Sequence, residues 1–292
     1  WLYFDDHKWK NCTKGYILHK SLSGIIKEIF YKYHRIYKRE MDKLNDEDKV
    51  VEAEVYDRKQ KSAYKIYEDL KNVTLENFNI KNSIFYIPNF IDINLYNKNT
   101  NNDLRARYAK EDDFIITHIS NFRKVKRIKD VITVFNNVSK SHPCKLLMIG
   151  DGPDRLMAEQ MCRNLGISDN VKFLGKLKLI EKILSISDIF ILPSQTESFG
   201  LVALEAMASK VAVISSNSGG LPEVNIDGYT GFLSDVGDVD KMSSDMALLL
   251  KDKKMLLQFQ LNAYKHAKSF DIPKVLPMYE EIYFNLCDKN PK

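Results

Sequence analysis

The sequence predicts an α/β protein built on a doubly wound parallel sheet, with helices on both faces and an amino-terminal, mainly helical segment. Three observations predict the sheet: short apolar strands recur from about residue 112, amphipathic segments separate them, and the connections are short. Because parallel strands need a crossover connection, this alternation indicates β-α-β units rather than hairpins.

Five segments have the length and the aliphatic content of buried strands. In order, they are DFIITHIS, CKLLMIG, VKFLG, IFILPS and VAVIS. Between them, Asp130 to Ser139 and Leu156 to Leu165 have helical periodicity, and the tail from Pro273 is amphipathic as well. The predicted organisation is an atypical helical segment at 1–90, a sheet domain at 91–272 and a carboxyl-terminal helix at 273–292.

The first 65 residues differ in kind from the sheet region. SLSGIIKEIFYKYHRIYKREM places Ile25, Ile29 and Tyr33 on one helical stripe, and VVEAEVYDRKQKSAYKIYEDL predicts a second, charged helix. DKLNDEDK between them has the composition of a turn. We find no Gly-rich turn after a strand here and no catalytic constellation.

Composition excludes several classes of protein. The longest apolar runs are far shorter than the roughly 20 residues that span a bilayer, so no membrane span is expected. The net charge of +5 is modest, and no base-stacking motif accompanies it, so no nucleic acid partner is expected. The four cysteines are scattered and the start lacks signal-peptide features, which favours a cytoplasmic location without a metal site. A homo-oligomer stays possible.

The stretch ESFGLVALE carries the clearest indication of chemistry. Gly200 lies where a strand-end loop becomes a helix, and the free N–H groups of a first helical turn favour a phosphate. Glu197 lies before the helix and Glu205 about one turn into it, and carboxylates accept hydrogen bonds from sugar hydroxyls. The alternative is that both are solvated acids near a helix start, where acids are favoured anyway.

Three further loops follow predicted strands, and ligands of doubly wound sheets bind at the carboxyl ends of the strands. SNFRKVKR concentrates positive charge that suits a diphosphate, whereas GDGP and SSNSGGLPE bring glycines that allow close backbone approach. The alternatives are a solvated basic turn, ordinary turn glycines and a plain loop before a helix. The residues concerned are Arg123, Lys124, Lys126, Arg127, Gly150, Gly152, Gly219 and Gly220.

In order and spacing, ESFGLVALEAMA, GDGP, GGLPE and GYTGFL resemble the retaining glycosyltransferases of family 4, over roughly Ile66 to Leu286. The resemblance implies a GT-B fold, of which this chain holds the Rossmann-like carboxyl-terminal half, with a remnant of the acceptor domain in 1–90. It also implies a nucleotide-sugar donor, a small-molecule acceptor, and no metal or other cofactor. FNIKNSIFYIPNFIDINLY and HISNFRKVKRIKDVI resemble the branch that transfers N-acetylglucosamine from UDP to L-malate in bacillithiol synthesis.

The resemblance also implies roles for individual residues. Glu205 would bind the ribose hydroxyls, Glu197 those of the transferred sugar, and Lys126 the diphosphate. Backbone groups at Phe199, Gly200 and Leu201 would hold the β-phosphate. Asn121 occupies the position of a family arginine, so Arg123 is the candidate for that charge. The predicted catalytic residues are Lys126, Arg123 and Glu197; the predicted donor-binding residues are Asn121, Gly150, Gly152, Phe199, Gly200, Leu201, Glu205, Gly219 and Gly220.

Other functions stay open at this point. A different family 4 hexosyltransferase of surface glycan synthesis would have the same motifs. A non-catalytic donor-binding remnant is also possible, because residues 1–65 match nothing in an acceptor domain. A domain for NAD or FAD is disfavoured, because no G-x-G-x-x-G follows the first strand.

Overall fold

A computed structural model describes residues 2–5, 8–11, 87–96 and 102–288, with side chains in 87–96 and 102–281. The chain divides into two compact units, Trp1–Tyr86 and Ile87–Lys292. In the first unit, strands β1 (Leu2–Asp5) and β2 (Lys8–Asn11) pair antiparallel, whereas the sequence pattern predicts only helices for this region. The two helices predicted between 21 and 70 lie outside the described residues.

The second unit is built on a parallel sheet, whose described strands follow the order β5-β4-β3-β6-β7-β8. The chain enters this sheet at its centre as β3 and then forms β4 and β5 on one side. It returns to the centre as β6, next to β3, and forms β7 and β8 on the other side. This order confirms the predicted doubly wound sheet and places its switch point between β3 and β6. The bounds are β3 (Phe114–Ile119), β4 (Cys144–Ile149), β5 (Val171–Gly175), β6 (Ile189–Leu192), β7 (Ala212–Ser216) and β8 (Gly231–Ser234).

Helices connect these strands and close the unit. The predicted helices at 130–139 and 156–165 are confirmed within two residues at each end, and a helix follows Gly200 as predicted. The described bounds are α1 (Ile93–Tyr96), α2 (Asn102–Ala106), α3 (Ile128–Ser139), α4 (Arg155–Asn164), α5 (Ile180–Leu184), α6 (Leu201–Ala208), α7 (Leu221–Val224), α8 (Val239–Lys251), α9 (Lys253–Ala267) and α10 (Ile272–Asp288). Among these helices, none has the length and apolar character needed to cross a membrane.

Strand β6 shows why the sheet is covered on both faces. All four of its residues are buried, and alternate side chains point to opposite faces of a strand. Ile189 and Ile191 join a core that includes residues of α3 and α8, whereas Phe190 and Leu192 join one that includes residues of α6 and α9. An unbroken apolar run is therefore the expected pattern for this strand.

The segment before the sheet is tied to the segment that follows α9. Ile91 N–H donates to the Phe270 carbonyl at 2.9 Å, and Ile272 N–H donates to the Ile91 carbonyl at 3.0 Å. Ile93 is buried, and its N–H donates to Asp271 Oδ1 at 3.2 Å. These bonds fix α1 on the face of the sheet that carries α6.

Candidate functional site

The switch point brings together the loops that follow β3 and β6. Lys126 Nζ donates to Glu197 Oε2 at 2.5 Å, with 19% and 17% of the two side chains exposed. Gln195 N–H donates to the Val125 carbonyl at 2.7 Å, which ties the loops together beside the ion pair. Two predicted catalytic residues, 71 positions apart in the chain, are thus in contact.

The other basic residues of SNFRKVKR have different surroundings. A 3-10 turn, Lys124–Lys126, ends at Arg127 in the left-handed region with φ of 52°. Arg127 Nε donates to Asp130 Oδ2 at 2.5 Å in the first turn of α3, so its charge is engaged there. Arg123, Lys124 and Asn121 are exposed. Lys126 is the cation of this loop that the structure places against Glu197.

Helix α6 begins beside this ion pair. Gly200 has φ of 93°, and its carbonyl accepts the N–H groups of Ala203 and Leu204 at 2.9 and 3.1 Å. A Cβ on Gly200 would lie 2.7 Å from Leu221 Cδ2, so both conformation and packing favour glycine. The N–H groups before Ala203, at the start of α6, have no acceptor within the helix and can bind an anion.

The residues on either side of Gly200 differ in burial. Phe199 is buried, and its ring lies edge-on to Phe270 at 5.7 Å. Leu201 is exposed on the first turn of α6. The predicted phosphate contacts of Phe199, Gly200 and Leu201 involve only their backbones, and the packing of Phe199 fixes where that backbone runs.

Glu205 has a partner of its own on the second turn of α6. The Tyr96 phenol donates to Glu205 Oε1 at 2.9 Å. Burial raises the pKa of Glu205, the Tyr96 hydrogen bond lowers it, and the charge of Glu181 raises it. Burial and the charge of Glu205 raise the pKa of Tyr96, so the phenol stays protonated and able to donate. The two glutamates of the motif therefore have separate environments.

The glycines of GDGP lie against the loop after β3. A Cβ on Gly150, whose φ is 119°, would lie 1.7 Å from the Ser120 carbonyl oxygen. One on Gly152 would lie 2.1 Å from the Asn121 carbonyl oxygen. Backbone packing therefore requires glycine at both positions, and this packing positions the loop that carries Lys126. Direct contact of Gly150 and Gly152 with a donor stays a prediction.

Gly219 and Gly220 support the loop after β6 in the same way. A Cβ on Gly219 would lie 1.8 Å from the Glu197 carbonyl oxygen, and one on Gly220 would lie 2.5 Å from that of Ser198. Gly220 N–H also donates to the Glu197 carbonyl at 3.0 Å. These glycines let their loop pack closely against the backbone of Glu197 and Ser198, which fixes the position of Glu197. Direct contact of Gly219 and Gly220 with a donor stays a prediction.

Sequence reasoning missed His118, a fully buried residue near the end of β3. Its Nδ1 lies 2.8 Å from the Ile191 carbonyl, which can only accept, so Nδ1 carries the proton. Nε2 then accepts from Ser120 Oγ at 2.8 Å, and Ser120 Oγ accepts the Phe122 N–H at 3.3 Å. Burial lowers the pKa of His118 to about 4. A neutral histidine therefore joins β6 to the loop after β3.

Other parts of the unit offer less for chemistry. A depression of about 270 Å³, lined in part by Phe114, Asp188 and Lys253, lies at the amino-terminal ends of β3 and β6. There Arg105 pairs with Asp188 at 2.9 Å. This edge lies opposite the one where doubly wound sheets bind ligands. Within the described residues, no group of three or more His, Cys, Asp or Glu side chains could hold a metal ion.

Comparison with known proteins agrees with this architecture. The doubly wound sheet, entered at its centre and covered by helices on both faces, is the Rossmann-like half of a GT-B fold. The structure of Anabaena Alr3699/HepE in complex with UDP and glucose superposes with a TM-score of 0.63 at 24% identity, over 68% of this chain and 56% of that one. The family described as "Glycosyl transferases group 1" matches residues 100–266, more than half of the chain. The chain belongs to that family.

Two relatives of known name are similar in sequence. N-acetyl-alpha-D-glucosaminyl L-malate synthase of Bacillus anthracis is 39% identical over 231 residues, which are 78% of this chain and 61% of that protein. The capsular polysaccharide biosynthesis glycosyltransferase CapM of Staphylococcus aureus is 30% identical over 169 residues, 53% of this chain and 42% of that protein. The matches thus span less than two thirds of either relative.

Proposed function

We propose that this chain is the donor-binding part of a retaining glycosyltransferase that takes UDP-N-acetylglucosamine and transfers the sugar to L-malate. The observation that carries the proposal is the contact of Lys126 with Glu197 at the switch point, beside the start of α6. The similarity to the Bacillus anthracis synthase supports the choice of donor and acceptor. The buried free thiols of Cys144 and Cys162 are compatible with a reducing cytoplasm.

The proposed donor pose follows from the charges of the site. The diphosphate lies between Lys126 and the first-turn N–H groups of α6, because both offer positive potential. Exposed Arg123 can turn towards the same phosphates. Glu205 accepts hydrogen bonds from the ribose hydroxyls on one side, and Glu197 from the sugar hydroxyls on the other.

The proposed reaction breaks the bond between C1 of the sugar and the diphosphate oxygen and forms one between C1 and the malate hydroxyl oxygen, on the same face. The proton of that hydroxyl passes to an oxygen of the leaving diphosphate. Lys126 and the start of α6 stabilise the charge that develops on the leaving group, which is where preorganised donors act most strongly. No protein nucleophile takes part in the proposed reaction.

A second candidate is a hexosyltransferase of surface glycan synthesis. The similarity to CapM of Staphylococcus aureus, which is 30% identical over 53% of this chain, favours it. The two candidates share the donor half and differ in the acceptor, so acceptor screening separates them. A donor-binding unit without turnover is the third outcome, and the assay below distinguishes it.

The test is calorimetric titration of the full chain with UDP and with UDP-N-acetylglucosamine, followed by UDP release with L-malate, D-malate and monosaccharide acceptors. We expect binding of both nucleotides and release that depends on L-malate. Release with a monosaccharide but not with malate would favour the second candidate. Binding without release would reduce the function to donor binding, and no binding of UDP would overturn the proposal altogether.

Glu205→Ala is the variant that links the assay to the site. Removing a partly buried acceptor should weaken UDP binding by about 1–3 kcal/mol if Glu205 binds the ribose. Asp245→Asn on α8 is a matched control, because Asp245 pairs with Lys241 at 2.6 Å away from the switch point. Unchanged UDP affinity in Glu205→Ala would contradict the assigned role.

A further inference from the structure

We infer that Tyr96 is a positioning residue of the donor site: its phenol fixes one oxygen of Glu205, so that the other oxygen is presented to a ribose hydroxyl. This inference rests on the proposed function and deepens it. Tyr96 is the last residue of the resembling stretch FNIKNSIFYIPNFIDINLY, but the resemblance assigned it no role. Its importance comes from the contact alone.

The contact joins two distant parts of the chain. Tyr96 Oη lies 2.9 Å from Glu205 Oε1, and the two residues are 109 positions apart. The Tyr96 ring packs against the buried cluster around α6, so the phenol approaches Glu205 from a fixed direction. Glu205 Oε2 has no hydrogen-bond partner within the described residues. Oε1 of Glu205 therefore accepts the phenol hydrogen bond, and Oε2 is left to accept one from a ligand.

The position of Tyr96 is itself well anchored. A helix as short as α1, with four residues, has little stability of its own. It is held instead by the backbone pairing of Ile91 with Asp271 and by the bond from Ile93 N–H to Asp271 Oδ1 at 3.2 Å. Ile91 and Ile93 are both buried. Tyr96 is thus presented to Glu205 from a segment that is fixed to the residues following α9.

The charges around Glu205 show what the phenol contributes. Burial and the charge of Glu181 both raise the pKa of Glu205, and the hydrogen bond from Tyr96 opposes them. Asp92 acts on Tyr96 itself and raises the pKa of the phenol. Without the phenol, Glu205 would protonate at a higher pH and its rotamer would lose a constraint. A protonated Glu205 accepts fewer hydrogen bonds from a ribose.

The first experiment measures UDP binding by Tyr96→Phe in the full chain across pH 5 to 8. The ring is kept and only the hydroxyl is lost. We expect UDP affinity to fall by roughly two- to tenfold, the range of one net hydrogen bond. The pH at which affinity is half lost should also move upward, because the Glu205 pKa rises. The protonation of UDP itself is the same in the wild-type and Tyr96→Phe titrations, so a difference between their pH profiles comes from the protein.

Tyr108→Phe is the matched control, since Tyr108 is a partly buried tyrosine packed in a different cluster. Its UDP affinity and pH profile should equal those of the wild type. A second control is Glu205→Gln with and without Tyr96→Phe. If Tyr96 acts through Glu205, removing its hydroxyl should have little further effect once Glu205 is changed.

The outcomes separate this inference from the proposed function. If the wild-type chain does not bind UDP, the proposed function fails. If the wild type binds UDP and Tyr96→Phe binds with the same affinity and pH profile, only the role of Tyr96 is overturned. A loss that is equal at every pH and adds fully to that of Glu205→Gln would show packing rather than positioning, and it would overturn the role too.

Discussion

Lys126 and Glu197 form a 2.5 Å ion pair between the loops that follow β3 and β6. About four fifths of each side chain is shielded from water, so the pair is screened less than a surface pair. The cation proposed for the diphosphate is thus paired with the carboxylate proposed for the sugar. A nucleotide must share Lys126 with Glu197 or displace it.

The first prediction is that Glu197→Gln raises the affinity for UDP while it abolishes sugar transfer. The substitution removes a competitor for Lys126 and a negative charge near the diphosphate, so UDP alone should bind about two- to tenfold more tightly. Calorimetry with UDP measures this directly. Asp245→Asn, which breaks a pair on α8, should leave the affinity unchanged, and weaker UDP binding by Glu197→Gln would contradict the argument.

The second prediction concerns the charge of Lys126. Lys126→Gln should weaken UDP binding by about 1.5–3 kcal/mol, the value of a hydrogen bond to a charged group, and should leave uridine binding nearly unchanged. Lys124→Gln changes an exposed lysine of the same turn and should have a much smaller effect. Equal losses in the two variants would mean that general surface charge, not the position of Lys126, holds the diphosphate.

The third prediction separates backbone strain from steric overlap at the glycines. Gly219 and Gly228 have similar φ values of 58° and 69°, but a Cβ would overlap the Glu197 carbonyl at Gly219 and would meet nothing within 4 Å at Gly228. Gly228→Ala should cost about 1 kcal/mol of unfolding free energy, whereas Gly219→Ala should cost at least about 2 kcal/mol more.

Urea denaturation followed by far-UV circular dichroism measures both glycine variants. The signal of the helices suits the purpose, because the two tryptophans, Trp1 and Trp9, lie outside the sheet unit. Gly219→Ala should also weaken UDP binding, since it displaces the loop that leads into the first turn of α6, where the diphosphate is proposed to bind, while Gly228→Ala should not. Equal destabilisation by the two substitutions would contradict the packing argument.

The fourth prediction is that His118 makes the sheet unit sensitive to acid. Its pKa is about 4 in the folded chain and 6.5 when unperturbed. Above pH 6.5 the histidine is neutral in both the folded and the unfolded chain. As the pH falls from 6.5 to about 4, only the unfolded chain protonates it, so the free energy of unfolding decreases over this range. The loss between pH 7 and pH 4 should be about 3 kcal/mol from this group.

His118→Asn tests the acid prediction. Asparagine can still donate to the Ile191 carbonyl but does not titrate, so the variant should be less stable at pH 7 and should lose less stability on acidification. Urea titrations at pH 7, 5.5 and 4 give the comparison. Parallel pH profiles for the two proteins would show that another group is responsible.

The sequence predicted the sheet well where burial alone decides it. The strands β3, β4, β6 and β7 lie in the middle of the sheet and read as apolar runs, because both faces are covered. Strand β8 escaped prediction, since GFLS is short and its two central residues are only partly buried. Its strand character comes from pairing with β7, and such a pairing is invisible in local sequence.

The sequence named candidate residues for the site, whose roles stay predictions, but it did not predict which of them are in contact. Glu197 and Glu205 were candidates because they flank a helix start, and Lys126 because it lies in a basic loop, yet the contact of Lys126 with Glu197 depends on the order of the strands. Tyr96 and His118 lie in stretches that carry the family resemblance, but the sequence assigned neither a role, because their partners are 109 and 73 positions away. The glycines were read as ligand contacts, and their overlap with facing carbonyls becomes apparent only once the loops are placed.

The pairing of Ile91 with Asp271 has a consequence for how such a domain can be reused. It places the two ends of the sheet region side by side, with three backbone or side-chain bonds between residues 91–93 and 270–272. A body whose ends meet can be inserted into another chain with little distortion of either partner. The sheet unit is thus suited to transfer between proteins as one piece, and the contact of Tyr96 with Glu205, which lies within the unit, would be kept on transfer.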